Sequence, residues 1–209
     1  MRDLPRKTNA LILKEDKEQI IQNVAQLLKE VPSSLEIVKD DAKKEQRFLY
    51  LANHMIEKAI REDALIVSED LKGIAILFTI DGSKNNFWLE TWEDLKLAYH
   101  VTGIKKGLKA LKSQNIVRKQ RPNEGTYLYC WFWGILADAR GVTDKMTAFR
   151  MKDEFYERSY QLQIPIYAET RIRRVALAYQ RYGFEKLKDW KHPSGDTMVF
   201  MKYTPPKNK

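Results

Sequence analysis

The sequence predicts a mixed α/β domain on one central sheet. Three observations carry that expectation. Two amphipathic helical patterns open the chain. The C-terminal half then alternates apolar runs of strand length with helical patterns. Two consecutive strand-like segments close it.

Taken in order, Ile20, Ile21, Val24, Leu27 and Leu28 recur on one helical face over 16–30, and Val31-Pro32-Ser33-Ser34 stops that helix. A second helix over 43–62 buries Phe48, Leu49, Ala52, Met55, Ile56, Ala59 and Ile60. Apolar runs at Ala64–Val67 and Ile74–Ile80 flank a polar turn with Asp70, Lys72 and Gly73, which is a β-hairpin pattern ended by Asp81-Gly82. Residues 87–114 read as helical in two pieces broken near Gly103, and Pro122, Asn123 and Gly125 make a turn. The stretch 126–138 is apolar at nearly every position and reads as a strand buried on both faces. Ala148, Met151, Phe155 and Leu162 mark the inner face of a helix over 143–161. The segment 164–169 reads as another fully buried strand. A last helix runs over 173–182, with Gly183 where a C-terminal glycine belongs, and 184–190 and 197–203 form a closing antiparallel pair.

Composition narrows the function classes. The 209 residues imply one domain, 1–209, since no Pro/Gly/Ser-rich linker divides them. Lys and Arg exceed Asp and Glu by nine, a balance that suits a polyanionic partner or a merely basic protein. Seven of the basic residues fall within 105–121, which holds no acidic one. The single cysteine, Cys130, excludes an internal disulfide framework and fits a reducing compartment. His54, His100 and His192 lie more than a helical turn apart, so no metal site is expected. No run approaches the ~18 apolar residues of a membrane span, and no signal segment is evident; a soluble cytoplasmic protein is expected.

The most specific residues are IPIYAET (164–170) followed by VALAYQRYGFEKL (175–187), with Tyr179 placed four residues before Gly183-Phe184. This segment resembles the GNAT superfamily of N-acyltransferases. MIEKAI, DLKGIAILF and the closing MVFMKYTPP agree with it, and the resemblance spans roughly residues 10–205. It implies a central, mostly antiparallel sheet flanked by helices, with acetyl-CoA as co-substrate and a primary amine of a small molecule as acceptor. In that family the strand before the phosphate loop splays from its neighbour. Backbone groups then pair with the pantetheine arm, and the loop and helix N-terminus offer amides to the pyrophosphate.

On this sequence the cofactor positions are Ile135, Leu136, Arg140, Gly141, Val142, Thr143, Asp144, Lys145 and Arg173. Thr143 and Lys145 stand where the family has small residues that let backbone approach phosphate. Tyr179 is the resemblance's general acid for the departing thiolate. Glu169 and Asp138, each at the end of a buried strand, are candidate bases, with a turn or cap role the alternative for Asp138. Cys130, Trp131, Phe132 and Trp133 are expected as core, with the alternation sending Trp131 and Trp133 to one face. Two other functions stay open: a GNAT-fold protein that binds CoA without catalysis, and a basic nucleic-acid-binding protein. A homodimer is also left open, and no membrane partner is expected.

Overall fold

The computed structural model describes residues 14–82, 101, 112–140 and 144–207. Helices α1 (Lys14–Leu28), α2 (Pro32–Ile37) and α3 (Lys44–Arg61) lead into strands β1 (Leu65–Val67) and β2 (Gly73–Asp81). A helical segment, 112–118, precedes β3 (Thr126–Ile135), a 3-10 turn (Ala137–Ala139) and helix α4 (Asp144–Leu162). Then come β4 (Ile166–Thr170), α5 (Arg173–Arg181), β5 (Glu185–Lys191) and β6 (Thr197–Tyr203). Of the helices expected over 87–114, only residue 101 and 112–114 are described, and these are helical.

The six strands form one sheet in the order β1-β2-β3-β4-β6-β5. Every neighbouring pair is antiparallel except β3 and β4. That parallel pair is short: Leu128 faces Ile166, Tyr129 faces Tyr167, and the pairing stops there. Among the described residues, β3 pairs from Cys130 onward with β2 alone.

Side-chain alternation divides the core between the two faces of the sheet. Ile74, Ile76, Phe78, Tyr127 and Tyr129 pack against Val24 and Leu27 of α1 and Phe48, Ala52 and Ile56 of α3. Ala75, Leu77, Leu128, Cys130, Ile166 and Ala168 pack against Met151 and Phe155 of α4 and Ala176 and Tyr179 of α5. Val117 covers Met198 and Phe200 on the first of these faces. Burial of this kind supplies roughly 1.5–3 kcal/mol for each large apolar side chain. Gly134 carries no Cβ because Leu27 of α1 closes on it: a Cβ there would stand 2.9 Å from Leu27 Cδ1.

Several expectations need correction. Pro32 does end the approach from α1, but it then opens α2, where its missing N–H is harmless in the first turn. Leu162 is 54% exposed, because α4 has passed the edge of the core by its last turn. β4 is buried only at alternate residues, Ile166 and Ala168, rather than throughout. The strand expected over 126–138 ends at Ile135, and Asp138 lies in the 3-10 turn. A bulge in β3 also breaks the expected alternation. Ile76 faces Phe132 but Leu77 faces Cys130, so Trp131 is extra. Trp131 and Phe132 therefore both join the α1/α3 core, and only Trp133 turns to the α4/α5 side.

The loop at the free end of β4 is tied by Arg171, whose side chain is 4% exposed. Its Nη1 donates to Glu36 Oε1 of α2 (2.7 Å) and, in the β5–β6 turn, to Ser194 Oγ (2.7 Å) and Asp196 Oδ2 (3.1 Å). His192 Nδ1 accepts the Ser194 N–H at 3.1 Å, which assigns the ring proton to Nε2, 3.2 Å from Ser113 Oγ. Burial and the Arg171 charge hold His192 below its ordinary value of 6.5. The unfolded chain therefore binds this proton more readily, so the contribution of neutral His192 is full above about pH 6.5 and is lost as pH falls. The urea midpoint should drop between about pH 7 and pH 5, and the drop should be smaller in His192→Gln; equal slopes would contradict this role.

Candidate active site

The parting of β3 and β4 leaves a gap in the sheet, and the two faces of the gap carry different chemistry. Tyr179 and Cys130 share the α5 side. The α5 helix presents Tyr179 inward because its C-terminus closes as a Schellman motif. Gly183 takes φ +90°, the Phe184 N–H donates to Tyr179 O (3.0 Å) and the Gly183 N–H to Gln180 O (3.0 Å). Phe184 then packs edge-on against the Tyr179 ring at 4.9 Å, and Trp133 does so at 5.5 Å. The Tyr-x-x-x-Gly-Phe spacing is thus a device that fixes one ring.

The Tyr179 hydroxyl lies 3.2 Å from Cys130 Sγ, at the first β3 residue beyond the last β3–β4 pair. Tyr179 is 6% exposed. Burial, reinforced by Cys130, Tyr129 and Glu169, pushes its proton affinity well above the usual tyrosine range, so the hydroxyl keeps its proton. Burial likewise pushes the Cys130 thiol up to about 12. The only cysteine is therefore core, as expected, and it also touches the candidate acid.

On the α1/α3 side stands Glu169, its side chain 8% exposed. Three donors converge on its Oε1: Arg121 Nη2 (2.6 Å), Arg121 Nε (3.1 Å) and the Tyr129 hydroxyl (2.7 Å). Arg121 Nη2 also donates to the Tyr129 oxygen at 2.5 Å, and its guanidinium lies 3.9 Å over the Tyr129 ring. Burial alone would lower the Arg121 proton affinity, but the neighbouring Tyr129 and Glu169 raise it above its ordinary value. Tyr179 and Glu169 thus meet the gap from opposite faces, beside consecutive residues of β3.

The other expected site residues are more dispersed. The Ile135 carbonyl accepts from Arg140 Nε (2.7 Å), while the Leu136 N–H donates to Lys72 O (3.0 Å) and its carbonyl accepts from Ala139 (3.0 Å). These backbone groups are already bonded, so the β3 edge left unpaired among the described residues lies upstream, at 130–134. Arg140 forms a bidentate pair with Glu30 (2.8 and 3.1 Å), and Arg174 Nη2 stands 3.7 Å from the same carboxylate. Arg173 is exposed at the start of α5. Gly141, Val142 and Thr143 lie outside the described residues, and the backbone of Asp144 and Lys145 opens α4. Asp138 is exposed and pairs with Lys72 Nζ at 2.7 Å. That bond holds its carboxyl below the usual carboxylate range, and its place in the 3-10 turn favours the turn reading.

Sequence reasoning missed Arg121 and Tyr129. Arg121 is the last residue of the basic stretch over 105–121, so a signal was present, but nothing local separates it from solvated lysines. Trp133, expected as core, packs against Phe155, Tyr179 and Tyr182, and among the described residues its buried Nε1 has no hydrogen-bond partner.

The architecture matches solved acetyltransferases along nearly its whole length. The histone acetyltransferase HPA2 and related acetyltransferase of Corynebacterium glutamicum superposes with a TM-score of 0.66 at 16% identity, over 94% of each chain. The fold is that of the GNAT acetyltransferases. Arylalkylamine N-acetyltransferase 2 of Aedes aegypti shares the GNAT fold with a TM-score of 0.58 at 13% identity, over 97% of this chain and 99% of its own. The polyamine N-acetyltransferase of Drosophila melanogaster, which forms N-acetylagmatine, gives 0.55 at 13% identity over 91% and 95%. Neither a protein-family model nor a curated protein matches the sequence. At these identities the likeness is one of fold.

The Cys130 environment gives a direct check. Thiolate is the reactive form, so iodoacetamide at about pH 8 should label the native protein very slowly and the urea-unfolded protein quickly. Rapid labelling of the folded protein would contradict the buried contact with Tyr179.

Proposed function

We propose that the chain, acting as a single domain over residues 1–209, is an N-acetyltransferase that moves the acetyl group of acetyl-CoA to a primary amine of a small acceptor. The observation that carries this reading is the meeting of Tyr179 and Glu169 across one strand gap. Acetyl-CoA supplies the acetyl group as a thioester. Its fit rests on two features among the described residues: the 130–134 edge of β3, left unpaired on the β4 side, and the buried Nε1 of Trp133, a donor with no partner there. Arg140, Arg173, residues 141–143 and the first turn of α4 are the residues that would hold the remainder. For phosphate to use Arg140, it must displace Glu30. A cytoplasmic location belongs to this reading and rests on the lone, unbridged cysteine. Among the described residues, no helix is long and apolar enough to cross a membrane.

The chemistry then falls to three groups of the protein. A backbone N–H of the free β3 edge polarises the carbonyl. Glu169 takes the proton that the amine nitrogen sheds as it bonds to the acetyl carbon. Tyr179 gives its hydroxyl proton to sulfur as the carbon–sulfur bond breaks. Water later removes the proton from Glu169 and returns one to Tyr179, so the balance closes on an amide and a thiol.

Proton transfer is efficient when donor and acceptor affinities match. The Tyr179 affinity is raised by burial, and so is that of any thiolate formed beside it: Cys130, a thiol in the same surroundings, is pushed up to about 12. Acid and leaving group rise together.

The test uses acetyl-CoA with an amine panel that includes agmatine and an arylalkylamine, following release of free thiol. Tyr179→Phe should lower kcat about 100-fold while calorimetric acetyl-CoA affinity stays within about threefold. Glu169→Gln should lower kcat by a similar factor. No acetyl-CoA binding, or full activity of Tyr179→Phe, would defeat the reading. Binding without turnover would favour a non-catalytic CoA-binding protein.

A further inference from the structure

We infer that Arg121 is a positioning residue of the acyl transfer, clamping one oxygen of the Glu169 carboxylate so that the other is held toward the gap as the proton acceptor. The inference rests on the assignment of Glu169 as base and gives the end of the basic stretch a role that composition could not.

The geometry carries it in two steps. All three donors on Glu169, two from Arg121 and one from Tyr129, go to Oε1, and Oε2 stands outside the clamp. A carboxylate fixed through one oxygen has a defined orientation for the other, which proton transfer in a near-attack arrangement requires. Arg121 is in turn held by its stacking on Tyr129, so guanidinium, phenol and carboxylate form one rigid unit built from three separate stretches of chain.

A purely structural staple is the poorer explanation. The 121–125 turn is already anchored, with the Tyr127 hydroxyl donating to Pro122 O (3.3 Å) and the Gly82 N–H donating to Gly125 O (2.9 Å). A buried ion pair is also a weak source of stability, since desolvation of both charges offsets their attraction. What the pair does supply is a fixed anion beside Tyr129, Cys130 and Tyr179, the titratable groups that respond to it.

The experiment compares full-length Arg121→Gln, Arg121→Lys, Tyr129→Phe and Glu169→Gln with the parent protein. The first readout is kcat and KM for acetyl transfer to the best amine of the panel, measured separately. The second is the carbon-13 NMR signal of the Glu169 carboxylate at fixed pH, assigned by its loss in Glu169→Gln. Arg121→Gln should lower kcat about tenfold or more, with KM for acetyl-CoA within about threefold, and should displace the Glu169 signal. Arg121→Lys, which keeps the charge but not the fork, should restore only part of kcat. Tyr129→Phe should lower kcat by a smaller factor.

A folded Arg121→Gln with parent-like kcat and an unmoved Glu169 signal would overturn the inference. Should Arg121→Gln fail to fold, parent-like kcat in both Arg121→Lys and Tyr129→Phe would overturn it instead. If no amine turns over, the carboxylate signal decides alone: a displaced signal in Arg121→Gln, partly restored in Arg121→Lys, supports the clamp and an unmoved signal overturns it. Full activity in Glu169→Gln would mark failure of the base assignment itself.

Discussion

The organisation of this protein depends on the brevity of one strand pairing. β3 runs beside β4 for two residues only, and both strands then find their hydrogen bonds elsewhere, β3 with β2 and β4 with β6. A parallel ladder that stopped at neither end would bury its backbone and leave no room for a ligand. Because it stops at Tyr129, the next residues of β3 offer an edge inside the protein rather than at its rim. Edges are normally covered or blunted. Here the edge is flanked by Tyr179 and Cys130 on one face and by the Arg121–Glu169 pair on the other.

That gap sets the electrostatics. Helices cover both faces, so groups lining the gap lose water, and the proton affinities of Tyr129, Cys130 and Tyr179 all rise. A carboxylate in the same place needs a counter-charge, and Arg121 supplies it from a segment 48 residues away in sequence. The result is a separation by face: the Tyr179 hydroxyl and Cys130 thiol with α5, and the Arg121-bound carboxylate with the side of α1 and α3.

Much of this was legible in the sequence, and the failures have physical causes. The Tyr179–Gly183–Phe184 spacing was readable because a helix C-terminus has strict local requirements, and φ +90° at Gly183 meets them. Glu169 was readable as the end of a strand. The Trp131 bulge was not, since one extra residue in a uniformly aromatic run leaves no trace in hydropathy. Leu162 was misplaced because a 3.6-residue period says which face is apolar but not where the core ends. Arg121 was hidden among lysines, because its partners lie on strands brought together only by the fold. The segment with Thr143 and Lys145 stands out in the sequence by its missing small residues. Its neighbour Arg140 turns out to be paired with Glu30, a contact no local pattern reports.

The gap between β3 and β4 is the proposed seat of the acetyl donor. Amide hydrogen exchange followed residue by residue, with and without saturating acetyl-CoA, tests this most directly. Exchange is expected to slow at amides of 130–134 in β3 and at the first turn of α4. Slowing confined to the β5–β6 hairpin, or none at 130–134 under saturating acetyl-CoA, would contradict it.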